Sequence, residues 1–207
     1  ENANVSRIFS GNAEIETFEE FKYFTASTNI ANGAFYNCSK LRRISLPPSW
    51  THISYIEYEG TSLEYIDMPE GVTNIGAKSF YELSTLTEIA LPQSVVYIGN
   101  NAFDGTSLTR FVFPENIPDT GGVNAINTLT YAEIGAGTTT FSSLGNCPNL
   151  ATLIVRANIP PATNYWTLRN TPIPSIYVPD ASVDAYKSAS GWSAWAAYIR
   201  PLSSYES

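Results

Sequence analysis

The residues of this chain that could do catalytic chemistry are few and scattered. His52 is the only histidine, so a Ser-His-Asp or Cys-His arrangement would have to use it. It stands beside an apolar position, and we expect it in a solvated turn. The pairs Glu57/Glu59 and Glu19/Glu20 could suggest the two carboxylates of a glycosidase, which lie about 5–10 Å apart across a cleft. We predict no enzyme, because a small repeat fold offers no deep cleft.

The two cysteines, Cys38 and Cys147, each follow an asparagine at the same point of a repeated pattern. Five repeats separate them, or about 24 Å if each repeat adds one strand spacing. A disulfide joins Cα atoms no more than about 7 Å apart, so we predict two free, buried thiols. Together with one histidine they are too few for a usual zinc site, and no EF-hand, phosphate-loop or dinucleotide motif occurs. We therefore predict no metal site and no cofactor.

One phrase dominates the chain: an apolar residue, two variable residues, then two apolar residues that flank a variable one. Its last apolar residues, spaced by 21 to 23 positions, are Leu46, Met68, Leu91, Phe113, Ile134, Val155 and Val178. Seven recurrences at this period indicate a solenoid. The alternation has the period of a strand, so each coil contributes one short strand that pairs in parallel with the next. Both apolar residues of a pair, such as Ile44 and Leu46, are predicted to point into the core.

Other recurrent residues complete the predicted coil. An aromatic row fills one side of the core: Phe35, Tyr58, Phe80 and Phe103. Val-x-x-Ile segments predict a second wall, prolines that follow the strands end them, and glycines at positions 76, 99 and 135 suit crowded or positive-φ turns. Two stretches, residues 115–128 and 156–172, depart from the pattern and are predicted to be irregular crossovers.

These patterns divide the chain into three parts. Residues 1–29 form an N-terminal tail and helical cap, and residues 180–207 form a helical C-terminal cap. Residues 30–179 between them contain about seven repeats, which begin at Ile30 and include Ile173. Caps are expected because an uncovered terminal coil would expose its core.

The caps have their own signals. Phe18, Phe21 and Phe24 are predicted to share a short N-terminal helix. In the C-terminal part, Ser182 is a candidate helix N-cap and Pro201 is expected to end the helical region.

Composition excludes several classes of partner. The net charge is −8 and the pI about 4.6, which disfavours nucleic acid and anionic lipid. No apolar run approaches the roughly 18 residues of a membrane span, so we predict no membrane insertion. Charged residues make up only 14%, a composition more common in secreted proteins. The first residue, Glu1, is consistent with a removed leader, which could also have carried a lipid anchor.

The phrase Ile-Gly-x-x-Ala-Phe at residues 98–103, followed by Leu-x-x-Phe-x-Phe-Pro in place of Leu-x-x-Ile-x-Leu-Pro, resembles the BspA-like, or Treponema-type, leucine-rich repeats. Residues 18–24 and 176–192 look like the terminal modules of such proteins, so the resemblance covers roughly residues 15–202. Repeats of this type occur on surface and secreted proteins of host-associated anaerobic bacteria. The resemblance implies a leucine-rich-repeat solenoid with one curved parallel sheet, a bacterial cell-surface or extracellular location, adhesion or protein binding, and no catalytic residue.

Variable residues between the core positions project from the predicted sheet as an ordered strip. Tyrosine and arginine, which are enriched at binding hot spots, recur along this strip. The candidate ligand-binding residues are Arg43, Tyr65, Asp67, Glu88, Arg110, Val112, Tyr131, Glu133 and Tyr177. The same residue types also suit a half-exposed sheet that binds nothing.

The predicted function is therefore a non-catalytic binding module whose partner is a host or bacterial surface protein. The alternative is a glycan-binding module, in which Tyr65, Tyr131, Tyr165 and Trp166 stack on sugar rings. These aromatic residues do not cluster in the sequence.

Overall fold

The computed structural model describes residues 7–24, 32–172 and 174–206. Ile30 and Ile173, which the pattern assigned to the repeats, lie outside the described residues. Two short α-helices follow the repeats, α1 (Val183–Ser188) and α2 (Ser203–Glu206). The strands of the described part are β1 (Thr17–Phe18), β2 (Arg43–Ser45), β3 (His52–Ile53), β4 (Tyr65–Asp67), β5 (Asn74–Ile75), β6 (Tyr97–Ile98), β7 (Arg110–Val112), β8 (Tyr131–Ile134), β9 (Thr140–Phe141), β10 (Thr152–Val155), β11 (Ala162–Thr163), β12 (Ser175–Val178) and β13 (Ile199–Pro201).

The strands stack into two walls, and every strand pair is parallel, as expected when each coil repeats the chain direction of the previous one. The first wall, called the strand face below, contains β1-β2-β4 and then β7-β8-β10-β12-β13. The second wall contains β3-β5-β6 and then β9-β11. Equivalent repeat positions lie side by side, with Ile44 beside Ile66 and Leu153 beside Ile176.

The prediction of one continuous sheet is wrong at the third coil. Six of the seven predicted strands form, but residues 88–91 form none, so β4 and β7 become the edges of two separate sheets. The packing gives a physical reason. Ile89 and Leu91 are only partly buried, as is Met68 in the coil before, although the pattern placed all three in the core. In the coil before, Ile66 is buried and β4 still forms, whereas neither Ile89 nor Leu91 in the third coil is fully buried.

The core itself follows the aromatic row. Phe35, Tyr58, Phe80 and Phe103 are fully buried, and their rings stack in order with centroid distances of 5.8, 5.4 and 5.1 Å. At Gly99, an added Cβ would lie 2.4 Å from the backbone nitrogen of the preceding coil. This glycine is therefore required by the close approach of neighbouring coils and not by a positive φ.

The N-terminal end differs from the predicted single helix. β1 pairs with β2, so the first residues extend the strand face before a 3-10 helix at Glu19–Tyr23. Phe21 is buried within that helix, whereas Phe18 lies in β1 and Phe24 is exposed after the helix. The three phenylalanines nevertheless contact one another, with centroid distances of 5.0 to 5.9 Å.

The C-terminal end also ends in a strand. After α1 and a 3-10 helix at Ser193–Tyr198, β13 pairs with β12 and includes Pro201, which was expected to end a helix. A proline is tolerated there because β13 is the outermost strand of its sheet. Ser182 makes no helix-capping bond; its hydroxyl donates to the Asn158 carbonyl at 2.8 Å.

The two stretches outside the repeat pattern behave differently. Residues 115–128 contain no strand, and a single bridge joins Asp119 to Thr140. Residues 156–172 are not wholly irregular, because they contain β11, which pairs with β9 in the second wall.

Candidate functional site

The strand register brings the predicted candidate residues into rows. Arg43 lies beside Tyr65 on β2 and β4, and Arg110 lies beside Tyr131 on β7 and β8. Val112 lies beside Glu133 in the adjacent row. Glu88 is the exception, because its segment has no strand partner. Whether the rows bind a ligand stays a prediction.

The interruption at residues 88–91 opens the strand face. No backbone hydrogen bond from this segment to any other described residue is found, whereas the regular coils on either side make them. In the coil before, for example, the Leu46 amide donates to the Asp67 carbonyl at 2.9 Å. The facing edges of β4 and β7 therefore have backbone donors and acceptors without a strand partner.

Two grooves flank the unpaired segment. The first, of about 370 Å³, is lined by Tyr65, Asp67 and Glu88, and the second, of about 530 Å³, by Glu88, Arg110 and Val112. Five of the nine candidate residues thus surround one feature. The first groove also has Glu70 and no lysine or arginine in its lining, so it carries negative charge.

In the N-terminal part of the face, candidate residues contact one another but remain exposed. The Arg43 guanidinium lies 4.7 Å from the centre of the Tyr65 ring, and Arg43 also approaches Glu19 at 3.3 Å. Tyr65 is 40% exposed. These contacts orient the side chains without removing them from solvent.

In the C-terminal part, Glu133 is the centre of a network. It accepts a hydrogen bond from the Tyr131 hydroxyl at 2.6 Å and pairs with Arg156 at 2.5 Å and Arg110 at 3.3 Å. Although burial favours the neutral acid, the Tyr131 hydrogen bond and the two arginines lower the pKa of Glu133. Burial, followed by the bond to Glu133, raises the pKa of Tyr131 to about 12.

The chain's own C-terminus covers this network. Tyr205 of α2 packs against Tyr177 and Tyr131, with ring centroids 5.0 and 6.4 Å apart, and Glu206 lies 3.8 Å from Arg156. As a result, Tyr131 and Tyr177 are only partly exposed. Tyr205 and Arg156 occupy no repeat position on the strip, so the sequence analysis missed both. Arg156 directly follows β10, and its place at the end of a strand was the one available signal.

The residues considered for chemistry are not brought together. His52 is exposed, but it lies in β3 and not in a turn, and its Nδ1 is 2.7 Å from the Thr51 hydroxyl oxygen. Glu57 is fully buried, so it cannot form an open carboxylate pair with Glu59. Cys38 and Cys147 are free and buried, as predicted, and burial raises the pKa of both thiols.

Glu57 is an unusual buried acid. One carboxylate oxygen accepts the Gly33 amide at 3.2 Å, while the other has no partner among the described residues. Burial raises the pKa of Glu57 to about 8, against the opposing effect of backbone amides at Gly33, Ala34 and Phe35. The neighbouring Tyr58 hydroxyl is also buried without a described partner.

Across residues 7–24, 32–172 and 174–206, no three acidic, cysteine or histidine side chains are grouped closely enough to hold a metal ion. The helices of these segments are too short to cross a bilayer.

The family model described as the BspA type leucine rich repeat region matches residues 7–129 in six copies. No curated protein matches the chain.

Two solved structures resemble the fold. The first is a leucine-rich repeat protein from Bacteroides ovatus ATCC 8483, with 18% identity and a TM-score of 0.50 over 74% of this chain and 53% of that protein. The second is a leucine rich cell surface protein from Faecalibacterium prausnitzii A2-165, with 19% identity and a TM-score of 0.35 over 93% of this chain and 65% of that protein. This chain therefore spans about half the length of the Bacteroides protein. At this identity the first likeness shows a shared fold.

Proposed function

This chain belongs to the family of BspA type leucine rich repeats, and from that premise we propose that it is a non-catalytic module that binds a protein through the strand face. The observation that carries the proposal is the interruption at residues 88–91. Five candidate residues line the two grooves there, and two strand edges lack a ladder partner. A continuous sheet would have offered a partner only its side chains, because its backbone groups would already be paired with neighbouring strands.

The partner would present an extended segment to this interruption. Main-chain groups at the edges of β4 and β7 would supply hydrogen bonds, and the side-chain grooves would supply specificity, as in strand-addition complexes. The acidic first groove favours a lysine or arginine in the bound segment. Tyr65 and Arg110, of the residue types that dominate hot spots, would anchor it from either side.

The proposal extends to location. The family resemblance and the low content of charged residues support a bacterial surface or secreted protein that takes part in adhesion. Protease treatment of intact cells of the source bacterium, followed by detection of this chain with an antibody, would test it. Resistance to protease on intact cells, with digestion after lysis, would contradict a surface position.

The binding proposal is tested with a matched pair of double variants. Arg43→Ala/Tyr65→Ala removes an arginine stacked over a tyrosine at 4.7 Å on the strand face. Arg169→Ala/Tyr165→Ala removes an arginine stacked over a tyrosine at 4.6 Å in a loop away from the strand face, where Arg169 also lies 4.8 Å from the Trp166 ring. Both are measured against a panel of host surface and matrix proteins by biolayer interferometry.

We expect the strand-face variant to weaken a wild-type interaction at least about tenfold, with the loop variant unchanged. Binding should also fall with added salt, because the first groove is acidic. Equal binding by the strand-face variant and wild type, with both folded, would place the interface elsewhere and reject the proposal.

A further inference from the structure

The two stretches that leave the repeat pattern meet in space. One groove of about 610 Å³ is lined by Asn164 and Trp166 from the second stretch and by five residues of the first: Pro118, Asp119, Gly121, Gly122 and Asn124. It lies on the second wall, between the sheet that ends at β6 and the sheet that begins at β9, away from the strand face. Its volume is in the range of small-molecule sites. The departures from the repeat thus build a single feature.

The groove contains polar groups without protein partners. Asn124, Asn146 and Asn164 each accept a hydrogen bond through the side-chain oxygen, at 3.0, 2.9 and 2.8 Å. No contact to a described residue is found for their amide nitrogens, which leaves three N–H₂ donors. Asp104 receives the Asn101 amide at 2.6 Å on one oxygen, while its other oxygen is buried and makes no hydrogen bond of good geometry to a described residue. Burial raises the pKa of Asp104, against the opposing effects of the Asn101 side chain and the nearby Asn124 backbone amide. Asp104 is 7% exposed, so this acceptor belongs to the floor of the site.

Two aromatic rings border these groups. Trp166 is 57% exposed and Tyr97 is 54% exposed. Gly121 also lines the groove, and a Cβ there would meet only ordinary contacts, the nearest at 3.6 Å from the Ser142 hydroxyl. Its backbone therefore does not require glycine, and the missing side chain keeps the groove open.

We propose that this groove binds a neutral oligosaccharide. A pyranose ring has an apolar C–H face that stacks on an indole or phenol ring, and hydroxyls that both donate and accept hydrogen bonds. Trp166 and Tyr97 match the first property, and the asparagine amides with Asp104 and Asp119 match the second. The Arg169 guanidinium lies 4.8 Å from the centre of the Trp166 ring, which leaves the opposite face of the ring for the sugar. The lining itself holds two aspartates and no lysine or arginine, which favours a neutral glycan over a sialylated or sulfated one.

The test uses an array of neutral, sialylated and sulfated oligosaccharides, with hits titrated by isothermal calorimetry. Trp166→Ala removes the stacking ring, and Gly121→Val fills the groove from a position where the backbone accepts a side chain. Each should weaken a neutral hit by about tenfold or more. Tyr65→Ala, which removes an exposed ring from the strand face, is the matched control and should leave the affinity unchanged.

Several results would overturn the assignment: no neutral oligosaccharide binds, only anionic ones bind, or neutral binding survives both groove variants. Loss of binding in Tyr65→Ala alone would also overturn it, by locating the sugar on the strand face. Circular dichroism establishes that each variant is folded. The outcome is independent of the protein-binding proposal, because that proposal fails only through the Arg43/Tyr65 variant.

Discussion

The two halves of the strand face carry the same kinds of residue but use them differently. Around β2 and β4, an arginine lies over an exposed tyrosine next to two open grooves. Around β8 and β12, Tyr131, Glu133 and Tyr177 are linked to arginines and covered by Tyr205 and Glu206 of α2. A row of tyrosines, arginines and acids therefore does not mark a free surface by itself. In one half the chain's own C-terminus covers these residues, and in the other half we propose a partner from outside.

The N-terminal and C-terminal coils also shift the pKa of a carboxyl group in opposite directions. Glu57, in the N-terminal coils, is buried beside an unpaired tyrosine hydroxyl, and its pKa is raised to about 8. Glu133, in the C-terminal half, is paired with two arginines, and its pKa is lowered. Burial without a counter-charge favours the neutral acid, whereas partial burial with counter-charges favours the anion.

The largest expected effect comes from Glu57. The folded pKa of Glu57 lies above the unfolded value of about 4.3. Its contribution to the free energy of unfolding is therefore fully present below about pH 4.3 and is lost as the pH rises through about 8. Between these two pH values, each unit of rising pH should lower the free energy of unfolding by roughly 1.4 kcal/mol. Glu57→Gln should remove this slope while retaining an acceptor for the Gly33 amide. Urea unfolding at pH 5, 6, 7 and 8 measures the difference, and parallel curves for the variant and wild type would disprove it.

Glu133→Ala should have the next largest effect. It leaves Arg110 and Arg156 without their shared acid and frees the Tyr131 hydroxyl, at a cost of about 1–2 kcal/mol in unfolding free energy. Glu64→Ala is the matched control. It breaks a 2.5 Å pair with Arg42 in which both side chains are well exposed, and should change stability by less than about 0.5 kcal/mol.

The two acids should also differ in acid solution. Because the folded pKa of Glu133 is lowered, its contribution is present above the unfolded value near 4.3 and is lost as the pH falls below it. The stability difference between Glu133→Ala and wild type should therefore shrink in acid. The prediction fails if the stability difference is unchanged at low pH, or if the Glu133 and Glu64 variants have equal effects. Either result would show that the Glu133 network stabilises the fold no more than an exposed ion pair does.

Removing the cover from the C-terminal half should have a smaller effect. Tyr205→Ala loses two ring contacts, worth about 0.5–1.5 kcal/mol, and exposes Tyr131 and Tyr177. Amide hydrogen exchange should become faster in β13 and β12, next to α2. Tyr198→Ala, another exposed tyrosine of the C-terminal region, should leave these rates unchanged. Unchanged exchange in the Tyr205 variant would mean that α2 does not protect this half.

The smallest effect on stability is expected in the half of the strand face around β2 and β4. Arg43→Ala removes an exposed ion pair and a contact with the Tyr65 ring, and should change the unfolding free energy by about 0.5 kcal/mol or less. A loss comparable to that of Glu133→Ala, measured in the same urea series, would mean that Arg43 also has a structural role. The contrast between the two halves would then fail.

Much of the fold could be read from the repeat, because each coil position reports its own environment. The alternation around Ile44 and Leu46 predicted a strand on the correct wall, and the spacing predicted the register that places Arg43 beside Tyr65. The aromatic row and the buried, unpaired cysteines were also confirmed. These features depend on local patterns that recur, so one coil predicts the next.

The candidate site was less predictable. Glu88 fits the repeat as well as Tyr65 does, yet its segment has no strand partner, and its neighbours Ile89 and Leu91 are not fully buried. Tyr205 and Trp166 have no repeat position at all. Only the structure shows that Tyr205 packs on Tyr177 and that Trp166 lines the groove on the second wall.

The sequence by itself determined the solenoid, most of the core positions and the parallel register of the strands that pair, because all three follow from a period of 21 to 23 residues. The tertiary structure decided where the sheet is interrupted, which half of the strand face the C-terminus covers, and that two irregular stretches share one groove. These outcomes depend on packing depth and on contacts between distant parts of the chain. A repeat period carries no information about either.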